Sequence, residues 1–257
     1  MELQAPSHWR CVDFISDLHL HAQGKSTFDA WRQYLRHTAA DAVFILGDLF
    51  EVWVGDDAAS IPLSFERQCV DVLRERATRL PLYLMRGNRD FLMGQTLAAA
   101  ACCTLLEDPS VLVFGARRWL LSHADALCLE DTAYMAFRRS VRSAPWQTEF
   151  LAKPLGERMD IARNIRAQSE ARKQTSSTYA DVDSTAAIAL LTQTNASTLI
   201  HGHTHRPQNH GLSDGLQRVV LSDWDLDAHP ARSEVLRLTL GPAGEGVQMQ
   251  RLNPLSA

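Results

Sequence analysis

Apolar residues in this chain fall into two textures, short unbroken runs and longer helical stripes. Ala42–Leu46 (AVFIL) is the clearest run, of strand length and with no polar alternation. It fits a strand covered on both faces. Runs at Cys11–Ser16, Leu82–Met85 behind Pro81, Val111–Phe114, Trp119–Ser122, Ser197–Ile200, Val219–Ser222, Glu234–Leu240 and Val247–Leu252 predict further strands. Gly115–Arg118 reads as a hairpin turn, and a Gly/Pro turn joins the last two strands. Phe28, Trp31 and Leu35 share one helical face of Lys25–Thr38, and Phe65, Cys69, Val72 and Leu73 mark a second helix. A third helix is expected near Gln95–Ala101, and Leu97–Leu106 reads as buried helix running into strand. Met1–Arg10 shows neither pattern and reads as a polar lead-in. Glu51–Asp57 reads as a loop. From Asp131 to about Leu191 the periodicity is helical throughout. The chain therefore reads as a mixed α/β core in two parts, 1–130 and 192–257, interrupted by a helical insertion at 131–191.

Charge sharpens that division. The chain of 257 residues carries a net charge of −4. Phe137–Ser176 holds nine Lys/Arg against four acids, about +5, which leaves about −9 on the rest. The insertion mixes these cations with Phe137, Trp146, Phe150, Met159, Ile161 and Ile165. Such a segment suits a lid with an apolar groove, or a helix lying on a membrane surface. The overall negative charge and the lack of an aromatic-rich basic face argue against a nucleic-acid partner. No secretory leader and no membrane-spanning run are visible. Five cysteines, odd in number and without C-x-x-C, point to reduced thiols in the cytoplasm. No obligatory protein partner is expected.

The chemistry gathers where strands stop. Asp17-x-His19, Gly47-Asp48, Gly87-Asn88, His123 and Gly202-His203-x-His205 each follow an apolar run. In extended chain, residues two apart point to one side, so Asp-x-His and His-x-His would each aim two side chains at one ion. Asp17, His19, Asp48, Asn88, His123, His203 and His205 offer nitrogen and oxygen donors but no thiolate, a set that suits manganese, iron or zinc. Seven donors are too many for one small cation and suit two ions sharing a bridging carboxylate. Two ions about 3.5–4 Å apart can clamp the attacking and leaving oxygens of a phosphoryl displacement. His201 falls one residue too early for this set and is expected in the core. Trp53, Asp56 and Asp57 are either plain loop residues or support for the site.

With D-x-H, G-D, G-N-R-D, a lone His and G-H-x-H in this order, the sequence resembles the calcineurin-like metallophosphoesterases. FISDLHL (14–20), ILGDLFEVWVGDD (45–57), MRGNRDFLMG (85–94), SHADALCLEDTAYMAFR (122–138) and IHGHTHRP (200–207) are similar to the branch that acts on UDP-2,3-diacylglucosamine in lipid A biosynthesis. The resemblance covers most of residues 11–210. It implies a two-sheet sandwich flanked by helices, with the insertion as a lid. It further implies two divalent ions, Mn²⁺ above all. Asp17, His19, Asp48 and His205 would hold one, and Asp48, Asn88, His123 and His203 the other. A metal-activated hydroxide would attack the uridine-side phosphorus, giving UMP and the diacylated sugar 1-phosphate (lipid X). Asp48, Asn88, Arg89 and His123 would form the catalytic set, with Arg89 neutralising charge on the pyrophosphate. Asn88, Arg89, Asp131 and His203, with Ser169, Arg172, Lys173 and Thr175 of the insertion, would contact the UDP-linked diacylated glucosamine. The expected location is peripheral, on the inner face of the bacterial inner membrane. The chain departs from the family at His123-Ala124-Asp125, where His-Gly-Asp is usual, and in the insertion at Gln168–Ser176. A soluble nucleotide pyrophosphatase or phosphodiesterase of the same superfamily is the alternative.

Overall fold

The computed structural model describes residues 1–175, 180–241 and 246–255, with the side chains of 170–175 left out. The elements of the first half are β1 (Glu2–Gln4), β2 (Cys11–Ile15), α1 (Lys25–His37), β3 (Ala42–Leu46), α2 (Phe65–Ala77), β4 (Leu82–Met85), α3 (Gln95–Ala100), β5 (Thr104–Leu106), β6 (Ser110–Phe114) and β7 (Arg117–Ser122). Four helices follow, α4 (Thr132–Val141), α5 (Ala144–Leu151), α6 (Leu155–Thr175) and α7 (Ser184–Gln193). The chain then returns through β8 (Thr198–His201), β9 (Gln208–Gly211), β10 (Gln217–Val220), β11 (Val235–Leu240) and β12 (Val247–Leu252).

The strands form two six-stranded sheets, β12-β11-β2-β3-β4-β5 and β1-β6-β7-β8-β10-β9. Their inner faces meet over Phe14, Phe44, Met85, Leu112, Leu121, Ile200 and Val219. The parallel registers put Phe14 opposite Phe44 and Phe44 opposite Tyr83, and the three rings stack at 5.1 and 4.6 Å between centroids. The other face of the first sheet buries Val43, Ile45 and Leu84 under Trp31 and Leu35 of α1, Leu73 of α2 and Leu97 of α3. β3 is thus buried along its whole length, as its unbroken apolar run requires. The other face of the second sheet packs Leu120 and Leu199 against Ala187 and Leu191 of α7. α7 therefore rests on the body, although it lies mostly inside the expected insertion, while α4–α6 make a cap. Phe44→Ala would remove an aromatic ring from this interior, a change worth about 3–5 kcal/mol.

Two strands lie outside the apolar runs. β1 forms from the supposed lead-in and pairs in parallel with β6, and β9 (QNHG) pairs antiparallel with β10. Both are sheet edges, where one neighbour and solvent suffice and no hydrophobic pattern is needed. The hairpin turn is tighter than expected: Gly115 and Ala116 both take positive φ, 62° and 56°, and Arg117 already belongs to β7. Such a two-residue loop matches the strand twist. The expected Gly/Pro turn between β11 and β12 falls largely outside the described residues.

The parallel pairs β2–β3–β4 and β7–β8 end at one edge of the sandwich. The loops after five strands, far apart in sequence, converge there.

Candidate metal centre

The loops at this edge are fastened to one another through their backbones. Asp17 N donates to Gly47 O at 3.1 Å, His19 N to Asp48 O at 3.0 Å, and Leu20 N to Leu49 O at 2.9 Å. Asp90 adds a buried staple: its carboxylate accepts from Gly87 N at 2.7 Å, Leu49 N at 2.8 Å and Phe50 N at 3.3 Å. Burial and the nearby Asp48 push the Asp90 carboxyl up to about 6.

The side chains do not converge by running extended, as the Asp-x-His and His-x-His spacing suggested. Asp17, His19, Asp48, His203 and His205 all take left-handed backbone, with φ of 54°, 48°, 52°, 68° and 52°. Each such residue carries strain of about 1–2 kcal/mol. Strain held at a functional site in this way requires surroundings that over-determine it. The backbone bonds between these loops supply that constraint. Close approach excludes side chains at two glycines. A Cβ on Gly47, itself at φ +90°, would lie 2.4 Å from His123 Nδ1, and one on Gly87 would lie 2.1 Å from Asp48 Oδ1.

The donor atoms face one another. His123 Nδ1 is 3.0 Å from Leu46 O, so it carries a ring proton and turns Nε2 toward the other donors, where a cation can take the place of the second proton. That Nε2 lies 3.0 Å from Asn88 Oδ1 and 3.6 Å from Asp48 Oδ2, and His203 Nδ1 lies 2.7 Å from the same Asn88 oxygen. An isolated amide would turn its NH₂ toward those three acceptors. A cation bound among them would instead favour the oxygen facing inward, as a ligand. On the other side His19 Nε2 and His205 Nε2 are 3.2 Å apart, with Asp17 Oδ1 3.3 Å from His205 and Asp48 Oδ2 3.9 Å from His19. Asp48 Oδ2 thus reaches both halves. Asp17, His19 and His205 form one group with the spacing of a metal site, and Asp17, Asp48 and His123 another. All seven expected ligands are brought together.

The field of this pocket favours positive charge. Burial opposes an imidazolium at His123, yet Asp48, Asp17 and Asp125 push its ionisation up to about 9. Burial likewise opposes the Asp17 carboxylate, and the His205 hydrogen bond together with the charges of His205, His123 and His19 outweighs it, holding that carboxyl well below its usual range. His203 goes down to about 4, through burial and then His123. A pocket of bare donors with this preference fits divalent ions.

A model of the calcineurin-like phosphoesterases matches residues 12–207. The chain belongs to that family. The UDP-2,3-diacylglucosamine hydrolase of Ralstonia nicotianae is 45% identical over 245 residues, 90% of each chain. The enzyme of the same name from Chromobacterium violaceum is 46% identical over 222 residues, 83% of this chain and 90% of that one. That from Chromohalobacter salexigens is 43% identical over 217 residues, 82% and 87% respectively. The family and the donor set together imply divalent metal ions.

Supports outside the ligands complete the centre of this phosphoesterase, and sequence reasoning missed two of them. His19 Nδ1 lies 3.2 Å from Glu51 Oε2, and Glu51 also pairs with Arg166 of α6. His205 Nδ1 lies 3.8 Å from Asp223 Oδ2, which Arg232 holds at 2.9 Å. Carboxylates behind ligating imidazoles orient the ring and raise its basicity. Glu51 lies within the ILGDLFEVWVGDD segment but nothing there marks it as a partner of His19, and Asp223 has no local sequence signature. Asp56 and Asp57 support the loop rather than the ions. Asp56 accepts from Trp53 Nε1 at 3.1 Å and from Gly94 N and Leu97 N at the start of α3. Asp57 pairs with Arg158 of α6, which also donates to Val54 O at 2.6 Å. His201 is buried in the core, as expected.

The phosphoesterase centre opens into a cavity of roughly 760 Å³ beneath the cap. His19, Asp48, Asn88, Arg89, His203 and His205 line it together with the apolar Val52, Phe91, Phe137, Trp146, Phe150 and Ile165. Arg89 N donates to Asp48 Oδ1 at 2.8 Å. Asp131 and Ser169 also face the cavity, and Asp131 caps α4 by accepting from Tyr134 N at 2.9 Å. Arg172, Lys173 and Thr175 lie in the last turns of α6, and their side chains are outside the described residues.

Proposed function

We propose that this phosphoesterase hydrolyses the pyrophosphate bond of UDP-2,3-diacylglucosamine, giving UMP and 2,3-diacylglucosamine 1-phosphate for lipid A. The observation that carries this reading is one cavity under the cap that the candidate metal ligands and a set of apolar side chains line together. A diphosphate linked to two acyl chains matches that mixture. Ralstonia and Chromobacterium relatives bear the name of this activity.

Asp17, His19, Asp48 and His205 would hold one ion, and Asp48, Asn88, His123 and His203 the other, with Mn²⁺ as the expected metal. When bound, such a pair supplies a nucleophile deprotonated near neutral pH and shields charge on the phosphoryl oxygens. Leu46 O fixes the His123 tautomer that leaves Nε2 free to ligate. Arg89 presents a permanently charged fork to the pyrophosphate, where charge grows as the bond breaks. Asp131, Ser169, Arg172, Lys173 and Thr175 would bind the nucleotide sugar as the cap closes over it, and Phe91, Trp146 and Phe150 would cover its chains. No described helix is long and apolar enough to cross a membrane. Exposed Leu151 and Met159 on the cap, beside the cations Lys153 and Arg163, support a peripheral membrane contact. Binding to anionic vesicles in a flotation assay, absent with neutral ones, is the expected outcome.

Chelation should abolish turnover, Mn²⁺ should restore it, and Asp48→Ala should remain inactive at any Mn²⁺ concentration. In ¹⁸O-water the label should enter UMP; label in the sugar phosphate alone would refute attack on the uridine-side phosphorus. Equal turnover of a water-soluble diphosphate diester and the acylated substrate would favour a soluble nucleotide pyrophosphatase instead.

A further inference from the structure

Tyr134, Arg138 and Arg142 stand at successive four-residue steps and share one face of α4 and its C-terminal cap. All three reach one oxygen, Asp125 Oδ2. Tyr134 Oη donates at 2.5 Å, Arg138 Nε at 2.8 Å and Arg142 Nη2 at 3.5 Å. Asp125 is fully buried, two residues beyond His123. One carboxylate thereby seats the first helix of the cap on a loop of the metal centre.

Arg142 makes a contact that the other two do not. Its Nη2 donates to Gly87 O at 2.9 Å, the carbonyl of the peptide that leads into Asn88. Its guanidinium also lies 5.4 Å from the centre of the Phe91 ring, a cation–π distance. Gly87 is held from the other side by Asp90 Oδ1 on its N–H. The Gly87–Asn88 backbone is therefore gripped between Asp90 of its own loop and Arg142 of the cap. Asn88 is the donor whose oxygen meets both His123 and His203.

We propose that Arg142 is a positioning residue of the metal centre, which fixes the Gly87–Asn88 peptide and couples the seating of α4 to the ion held by Asn88. The inference rests on the ligand set proposed above, not on the identity of the substrate. Coupling of this kind is reciprocal: the ion steadies α4, and with it Asp131 and Tyr134, as much as seated α4 tightens the ion.

The test is a titration of chelator-stripped protein with Mn²⁺ alone, followed by calorimetry and by the spin-coupled EPR signal of an adjacent pair. Wild type should bind two ions. Arg142→Met keeps the stem against Phe91 and loses the donors. It should hold one ion normally and the second about 10- to 100-fold more weakly, the usual scale for losing such a support. Its kcat should recover with excess Mn²⁺, which a purely structural defect would not do. Arg142→Lys offers a point charge that cannot serve both Asp125 and Gly87 O, and should fall between; it keeps the test decisive should the Met variant not fold. Arg138→Met also loses an Asp125 contact but leaves Gly87 untouched, so it should weaken the second ion far less than Arg142→Met does. Two ions bound normally by the Arg142 variants, or equal weakening in Arg138→Met, would overturn the proposal. A wild type that binds no adjacent pair would overturn the ligand set itself, and this proposal with it.

Discussion

Gly87 shows how little room the centre leaves around a single atom. A methyl group there would stand 2.1 Å from Asp48 Oδ1 and 2.4 Å from Asp48 N. One of these is backbone, and the other is a side chain fixed by Arg89 N. Gly87→Ala must therefore displace Asp48 or the Asn88 loop. Overpacking of this kind costs about 1–3 kcal/mol in stability. A shift of about 1 Å at reacting groups can lower rate by roughly 10²-fold. The expected variant is folded, about 10²-fold slower and weaker in Mn²⁺; wild-type values of kcat and Mn²⁺ affinity would show that the loop relaxes at no cost. At this scale the donor types and their order are legible, because each donor stands where an apolar run stops. Their left-handed backbone is not, since it is imposed by bonds between loops some thirty residues apart, such as Asp17 N to Gly47 O. Asp90 is visible as the last residue of G-N-R-D, but nothing local says that it will accept backbone N–H groups of residues 49 and 50.

Within the elements, the joint between α6 and the loop before α2 carries an asymmetric pair. Arg158 is 3% exposed on its side chain and Asp57 is 56% exposed. Arg158→Met leaves Asp57 free to hydrate, and the cost is chiefly the lost bonds to Val54 O and Lys153 O, about 1–2 kcal/mol. Asp57→Ala instead leaves a buried guanidinium without its counter-charge, a situation worth about 3 kcal/mol or more. Urea unfolding should therefore rank Asp57→Ala below Arg158→Met, and the reverse order would mean that water reaches the Arg158 guanidinium. The sequence marks the cations of this segment, and a charged helical run is naturally read as a solvated face. That one of them turns inward depends on where Asp57 ends up, 101 residues away. Strands behave in the same way: β3 and β4 announce themselves through apolar runs, whereas β1 and β9 exist because a neighbour offers an edge. The Gly115-Ala116 turn was legible as a turn, but not its length.

For the whole molecule, the join that matters is β7 to β8, Ser122 opposite His201, made across the entire cap. The alternation of runs and stripes marks an interrupted α/β core, but no local pattern says that these two strands pair. His201, the last residue of β8, makes that join sensitive to acid. Its Nδ1–H donates to Gly202 O at 2.8 Å, and its Nε2 has no partner among the described residues. Burial, with Arg218 and His203 nearby, drives its ionisation down to about 3. In the unfolded chain the ring titrates near 6.5. As pH falls, the unfolded state takes the proton first, so this contribution is complete above 6.5 and is lost between 6.5 and 3. The slope is at most about 1.4 kcal/mol per pH unit. Asp90, raised to about 6 in the fold, works in the opposite sense between 3.8 and 6, and His203 in the same sense as His201. Total stability therefore hides the effect, and a difference reveals it. His201→Asn keeps a donor for Gly202 O and removes the titration. The stability gap between wild type and His201→Asn, measured by urea unfolding of metal-free protein, should shift against wild type as pH is lowered from 7.5 to 4.5. A gap constant over that range would mean that water reaches His201 and that the seam between β7 and β8 is open at its end.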